Sequence, residues 1–171
     1  MRTHLFPIPA FIMFAFLVSA CEHDKDNPQS VSGKLISNSA CKSSLADADT
    51  AYLFDSLSCA EYSYNDSSKT LSVKHINAGF NCCPGTIQCE ISVRNDSILI
   101  RESETAMLCN CDCLYDLNIE VYGVDPKNYV IRFIEPYCGE QEQLIFAADL
   151  ASQASGSHCV RRTQYPWGLF K

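Results

Sequence analysis

Sulfur dominates the chemistry open to this chain. Eleven of its 171 residues are cysteine. Ten of these fall from residue 41 onward, as Cys41, Cys59, Cys82, Cys83, Cys89, Cys109, Cys111, Cys113, Cys138 and Cys159. Two clusters stand out: adjacent Cys82 and Cys83, and a triplet in which Cys109, Cys111 and Cys113 alternate with Asn110 and Asp112. Thiolates, with His75 nearby in sequence, are competent zinc ligands, and a metal-binding cysteine cluster is one alternative function. One-residue spacing is awkward for a tetrahedral site, however, so no metal and no other cofactor is expected. A thioredoxin-like role needs Cys-x-x-Cys, which the chain lacks. Disulfides are the default use of so many cysteines in an oxidising compartment. In an extended chain Cys82 and Cys83 point to opposite faces and should take different partners, whereas three alternating thiols in a strand share one face. Bridges between the two clusters are therefore attractive, with at least one of Cys82 and Cys83 turning elsewhere. Ten cysteines allow about 945 pairings, and the connectivity stays open.

Other reactive groups are sparse. His75 shares the strand parity of Leu71 and Val73, which aims it at a core, where a bond to backbone or to Asn81 is expected. His158 adjoins Cys159 and is expected at the surface beside a disulfide. Asp112 and Asp116 offer a carboxylate pair for acid–base work, although acids near turns more often bind local backbone. Tyr165, Trp167 and Phe170 are the best binding candidates, because aromatic faces stack on sugar rings and anchor peptides; their bland use is to cover an open end of the fold. No His-Glu-x-x-His, Gly-x-Ser-x-Gly or phosphate-cradling glycine loop occurs. A protein without enzymatic activity or catalytic residues is the expectation.

The eleventh cysteine belongs to an address. Arg2 and His4 precede an apolar run from Leu5 to Val18, and small Ser19 and Ala20 lead to Cys21. That order reads as a secretory signal over residues 1–20, too short and too proline-broken at Pro7 and Pro9 to span a membrane. Val18-Ser19-Ala20-Cys21 resembles the lipobox of bacterial lipoproteins. The resemblance implies acylation of Cys21, including palmitate-type chains, after cleavage before it. Several acyl chains hold a protein to a bilayer at about 0.8 kcal/mol per buried methylene. Spending Cys21 on lipid also restores an even count, so up to five disulfides remain. The polar stretch 21–30 then serves as a flexible tether. Its acidic residues Glu22, Asp24 and Asp26 are similar to the surface-export signal of Bacteroidota lipoproteins. That implies a place at the outer membrane facing the exterior, the alternative being the periplasmic side. Asp-Ser/Thr-apolar triplets centred on Thr50, Ser56 and Ser97 resemble O-glycosylation sites of the same bacteria.

The elements behind these residues are mostly strands. Val31–Ile36 reads as a short first strand, and Leu45, Ala48 and Tyr52 leave residues 43–58 divided between helix and loop. Ala60, Tyr62 and Tyr64 alternate with polar residues, residues 66–69 turn, and Leu71, Val73 and His75 alternate back as a hairpin. Ile87 to Val93 and Ser97 to Arg101 flank Asn95-Asp96 as a second hairpin, with a turn suited to type I′. Tyr115 to Val121, a turn at Asp125-Pro126, and Tyr129 to Ile134 form a third, and Gln143–Ala147 adds a strand. Seven or eight such strands in one domain over residues 31–171 predict a mainly β antiparallel sandwich, with a partly open barrel as runner-up.

Composition narrows the function classes. With 47% hydrophobic residues the chain is not disordered, and 20 acidic against 13 basic groups argue against nucleic acid. Arg161-Arg162 is too small a basic spot to change that. The run from His75 through Asn81-Cys82-Cys83-Pro84, the Cys109–Cys113 triplet and terminal Tyr165-Pro166-Trp167-Gly168 are similar to an uncharacterised group of cysteine-rich Bacteroidota lipoproteins, which brings a shared address and no activity. The expectation is a membrane-anchored surface lipoprotein whose stapled domain binds a glycan or protein. The alternative is a structural or protective component of the cell envelope.

Overall fold

The structure, a computed structural model, describes residues 31–42 and 57–163. The expected signal sequence 1–20, Cys21 and its tether, residues 43–56 with Thr50 and Ser56, and the aromatic residues Tyr165, Trp167 and Phe170 lie outside the described residues. Nine strands are described: β1 (Ser32–Asn38), β2 (Leu57–Asn65), β3 (Thr70–Asn81), β4 (Ile87–Arg94), β5 (Ser97–Glu104), β6 (Asp112–Tyr122), β7 (Asn128–Ile134), β8 (Ile145–Asp149) and β9 (Ser155–Arg161). They form a five-stranded sheet in the order β1-β6-β3-β2-β9 and a four-stranded sheet in the order β4-β5-β7-β8. Among the described residues no strand pairing joins the two, so they form a two-sheet sandwich and not a closed barrel.

Alternation builds the core. Ala60, Tyr62 and Tyr64 on β2, Leu71 and Val73 on β3, and Leu117, Ile119 and Val121 on β6 turn inward from the larger sheet. Ile98 and Ile100 on β5, with Tyr129, Ile131 and Phe133 on β7, meet them from the smaller one. Each such side chain contributes about 1.5–3 kcal/mol by leaving water. Two glycines let neighbours close in. A Cβ on Gly33 would lie 2.8 Å from the Glu120 carbonyl oxygen and 3.1 Å from the Ile91 side chain, so the bare backbone lets edge strands β1 and β4 lie together. Gly156 pairs with Tyr62, whose ring crosses the place a Cβ would take, 2.7 Å from the hydroxyl.

Three features depart from expectation. The third hairpin does not form: β6 is flanked on both edges by β1 and β3, so β7 crosses to the other sheet and pairs with β5. That pairing is parallel, the single exception in sheets otherwise antiparallel among the described residues. At the β4–β5 turn Asn95 alone takes a positive φ, of 53°, whereas a type I′ turn needs it at both central residues. The third departure is a strand, β9, whose Ser-Gly-Ser-His-Cys-Val-Arg sequence carries no strong alternation.

Candidate functional site

Four disulfides are described: Cys41–Cys113, Cys59–Cys159, Cys82–Cys111 and Cys83–Cys109. Both Cys82 and Cys83 reach the triplet, contrary to the expectation that one must turn elsewhere. The physical reason is that β3 ends at Asn81 and β6 begins at Asp112, so only Cys113 of the five is held in a strand. The other four lie in two loops free to meet as a nested pair. Asn81 pins those loops. Its fully buried amide nitrogen donates to the carbonyls of Cys109 (2.6 Å) and Cys111 (2.9 Å), and its oxygen accepts from the backbone of Cys83 (2.9 Å) and Cys109 (3.3 Å). The sulfurs of Cys82, Cys109 and Cys111 lie within 4.8 Å of one another, yet each is half of a disulfide and offers no thiolate to a metal.

Cys89 and Cys138 are unpaired, which corrects the expectation that all ten cysteines are bridged. Cys89 faces inward from β4 opposite Glu102, and burial, then the Glu102 charge, pushes its thiol far above the ordinary range. Cys138 is 7% exposed after β7, and burial ahead of the Glu135 charge raises its thiol despite the opposing Arg162. Both are poor nucleophiles as folded.

The most unusual chemistry lies between the sheets. At the level of His75 the inward-facing rows change from apolar to polar: Ser58 on β2, His75 on β3, Glu102 on β5, Glu135 just past β7 and Arg162 just past β9. All five are 8% exposed or less, and His75 and Ser58 are fully buried. His75 Nδ1 is hydrogen-bonded to Glu102 Oε1 at 2.6 Å, and its Nε2 lies 2.8 Å from Ser58 Oγ and 3.8 Å from Glu135 Oε1. The Arg162 guanidinium binds Glu135 Oε2 at 2.5 Å, the Glu142 carbonyl, and Cys138 Sγ at 3.0 Å. The Phe133 ring closes over His75 with centroids 4.8 Å apart. Glu102 Oε2 and Glu135 Oε1 have no hydrogen-bond partner among the described residues.

Burial disfavours the charged imidazole, but the Glu102 charge and hydrogen bond, then Glu135, outweigh it and hold the His75 pKa above its ordinary value. Burial likewise lifts Glu102 against the pull of His75. Both directions favour keeping a proton on the pair to higher pH than an ordinary histidine or glutamate would hold it. The expected partner of His75, backbone or Asn81, is thus replaced by Ser58 and Glu102. Serine, histidine and carboxylate in hydrogen-bonded sequence is the arrangement of a nucleophile, its base and an orienting acid. Here Ser58 is shut from solvent, so no substrate atom reaches it in this conformation.

The remaining candidates are dispersed. Asp112 and Asp116 do not pair, being four strand residues, or about 13 Å, apart. Asp116 binds Lys42 Nζ at 2.5 Å and the Asn77 backbone at 3.2 Å, while burial, then the Glu104 charge, lifts Asp112 above the ordinary carboxylate range. His158 stacks on Phe146 beside the Cys59–Cys159 bridge, with ring centroids 5.3 Å apart. Ser97 is exposed at the start of β5. Across the outer face of the larger sheet, Glu61, Ser63, Ser72, Lys74, Asn118 and Glu120 line a shallow groove of about 390 Å³. Sequence reading missed Glu102, Glu135 and Arg162. The sign was a charge on the inward parity: Glu102 follows Ile98 and Ile100, Glu135 follows Ile131 and Phe133, and Arg162 follows Val160. No family model, curated protein or solved structure matches the chain.

Proposed function

We propose that the chain is an exported, lipid-anchored lipoprotein of the outer membrane whose β-sandwich is a non-enzymatic binding module for a glycan or protein. The observation that carries this reading is the set of four bridges closing loops of 26 to 100 residues, since such bridges persist in oxidising compartments outside the cytoplasm. The Val18–Cys21 motif supports the anchor. The seclusion of Ser58 supports binding over catalysis. The polar groove over β3 and β6, with donors from Lys74 and Asn118 and acceptors from Glu61 and Glu120, suits a hydroxyl-rich or peptide ligand.

The deciding experiment screens acyl-free protein against glycan and envelope-protein arrays, with Lys74→Ala and Trp167→Ala variants run in parallel. Binding lost in either variant supports the reading and tells which surface is used. Turnover of an ester or peptide panel that disappears in Ser58→Ala would replace it with a hydrolase. Intact mass of membrane-extracted protein tests the address: acyl groups are expected on Cys21, and reduction should add about 8 Da for four bridges. An unacylated mass would remove the anchor.

A further inference from the structure

We propose that a single buried proton, shared by His75 and Glu102, latches the two sheets together, and that losing it opens this part of the sandwich and bares the Cys138 thiol. The first support is placement. Ser58, His75 and Arg162 come from the five-stranded sheet and its exit, whereas Glu102 and Glu135 come from the four-stranded one. Every described disulfide lies on the first sheet or the loops joined to it, so among the described residues no bridge ties the second sheet directly to the first. The cluster and the apolar core must hold the sheets together here.

The second support is charge. The groups facing His75 are Glu102 from β5, Glu135 from the end of β7, Arg162 from the end of β9, Ser58 from β2 and the Phe133 ring. Cys89 on β4 stands behind Glu102, and Cys138 behind Arg162. Two carboxylates face one guanidinium, so the cluster is neutral only while the histidine–glutamate pair holds one proton beyond that of a neutral imidazole beside an ionised carboxylate. Without it a net negative charge is stranded among groups at most 8% exposed. The orphaned oxygens of Glu102 and Glu135 leave few hydrogen bonds to offset that charge.

Linkage sets the direction. A group whose pKa is raised by folding stabilises the closed form fully below its unfolded value and loses that effect as pH rises through the folded value. For His75 the window opens near the ordinary value of about 6.5. The test is Cys138 labelling of the full-length protein by a maleimide, mapped by mass spectrometry and normalised to a free-thiol standard. The expected rise is up to about tenfold per pH unit above roughly pH 6.5, until the folded pKa is reached. Glu102→Gln, which leaves the cluster neutral without the extra proton, should flatten the profile, whereas Ser58→Ala should keep its slope. Equal slopes in the native protein and Glu102→Gln, or no slope in either, would overturn the latch. If Glu102→Gln does not fold, nitrogen NMR of native His75 decides. Both ring nitrogens protonated at pH 7.5, or a neutral ring beside a Glu102 carboxyl that carbon NMR shows protonated, supports the proposal, and a neutral ring beside an ionised Glu102 refutes it.

Discussion

The two sheets of the sandwich are held by different means. The five-stranded sheet, with the loops that leave it, carries all four described bridges: β1 is tied to β6, β2 to β9, and the exit of β3 twice to the approach of β6. The four-stranded sheet has none, and the two unpaired thiols lie on its strand β4 and in its β7–β8 connection. Where the first sheet uses covalent bonds and the fully satisfied amide of Asn81, the second is joined through a charged cluster with orphaned oxygens. Covalent closure acts mainly on the unfolded chain and is indifferent to pH; an ionic contact in a dry interior depends on its charge count. The sandwich thus contains a durable half and a conditional half.

The sharpest way to break this contrast is to remove the central cation. Arg162→Met leaves Glu135 and Glu102 without a guanidinium and should cost about 3–5 kcal/mol in denaturant unfolding, the range for breaking a buried ion pair. A loss below about 1 kcal/mol would mean that the cluster is not what joins the sheets. Next come the nested bridges. Replacing Cys82, Cys83, Cys109 and Cys111 by alanine should cost about 3.5 kcal/mol of loop entropy, while removing the Cys83–Cys109 pair alone should cost under about 1 kcal/mol, because the outer bridge still closes the loop. Additive losses would contradict the nesting.

Raising pH comes third. Native stability should fall by up to about 1.4 kcal/mol per unit above roughly pH 6.5, and Glu102→Gln should cancel that slope. Protection from hydrogen exchange should be lost from β4 and β8 before β2 and β3 over the same range. The smallest effect expected is that of Cys89→Ala, below about 1 kcal/mol, since this thiol acts as a small apolar group at the sheet's edge. A large loss there would give the second sheet a sulfur-dependent support after all.

Much of the architecture was legible in alternation. The β2–β3 and β4–β5 hairpins, the inward rows and the sandwich class follow from parity and turn residues. Parity reports which face a residue occupies, not which strand lies beside it. Hence the crossing from β6 to β7 and the parallel β5–β7 pairing were not legible: nothing in Tyr129–Ile134 records that both edges of β6 are taken. β9 was invisible because an edge strand with one buried side chain in Val160 needs little apolar pattern. His75 was placed facing inward on parity, but its partners were not, because Glu102 and Glu135 lie 27 and 60 positions away and look like solvent charges until the sheets face each other.

The bridge pattern also decides what a single break in the backbone would do. Cys41–Cys113 spans residues 41 to 113, and Cys59–Cys159 spans 59 to 159, so the two spans overlap. One peptide bond severed anywhere between Cys41 and Cys159 leaves the pieces joined through sulfur. A protease that nicks an exposed turn such as Asp66–Lys69 or Asn95-Asp96 therefore releases no fragment, and the damaged molecule stays in one piece until a reductant reaches it.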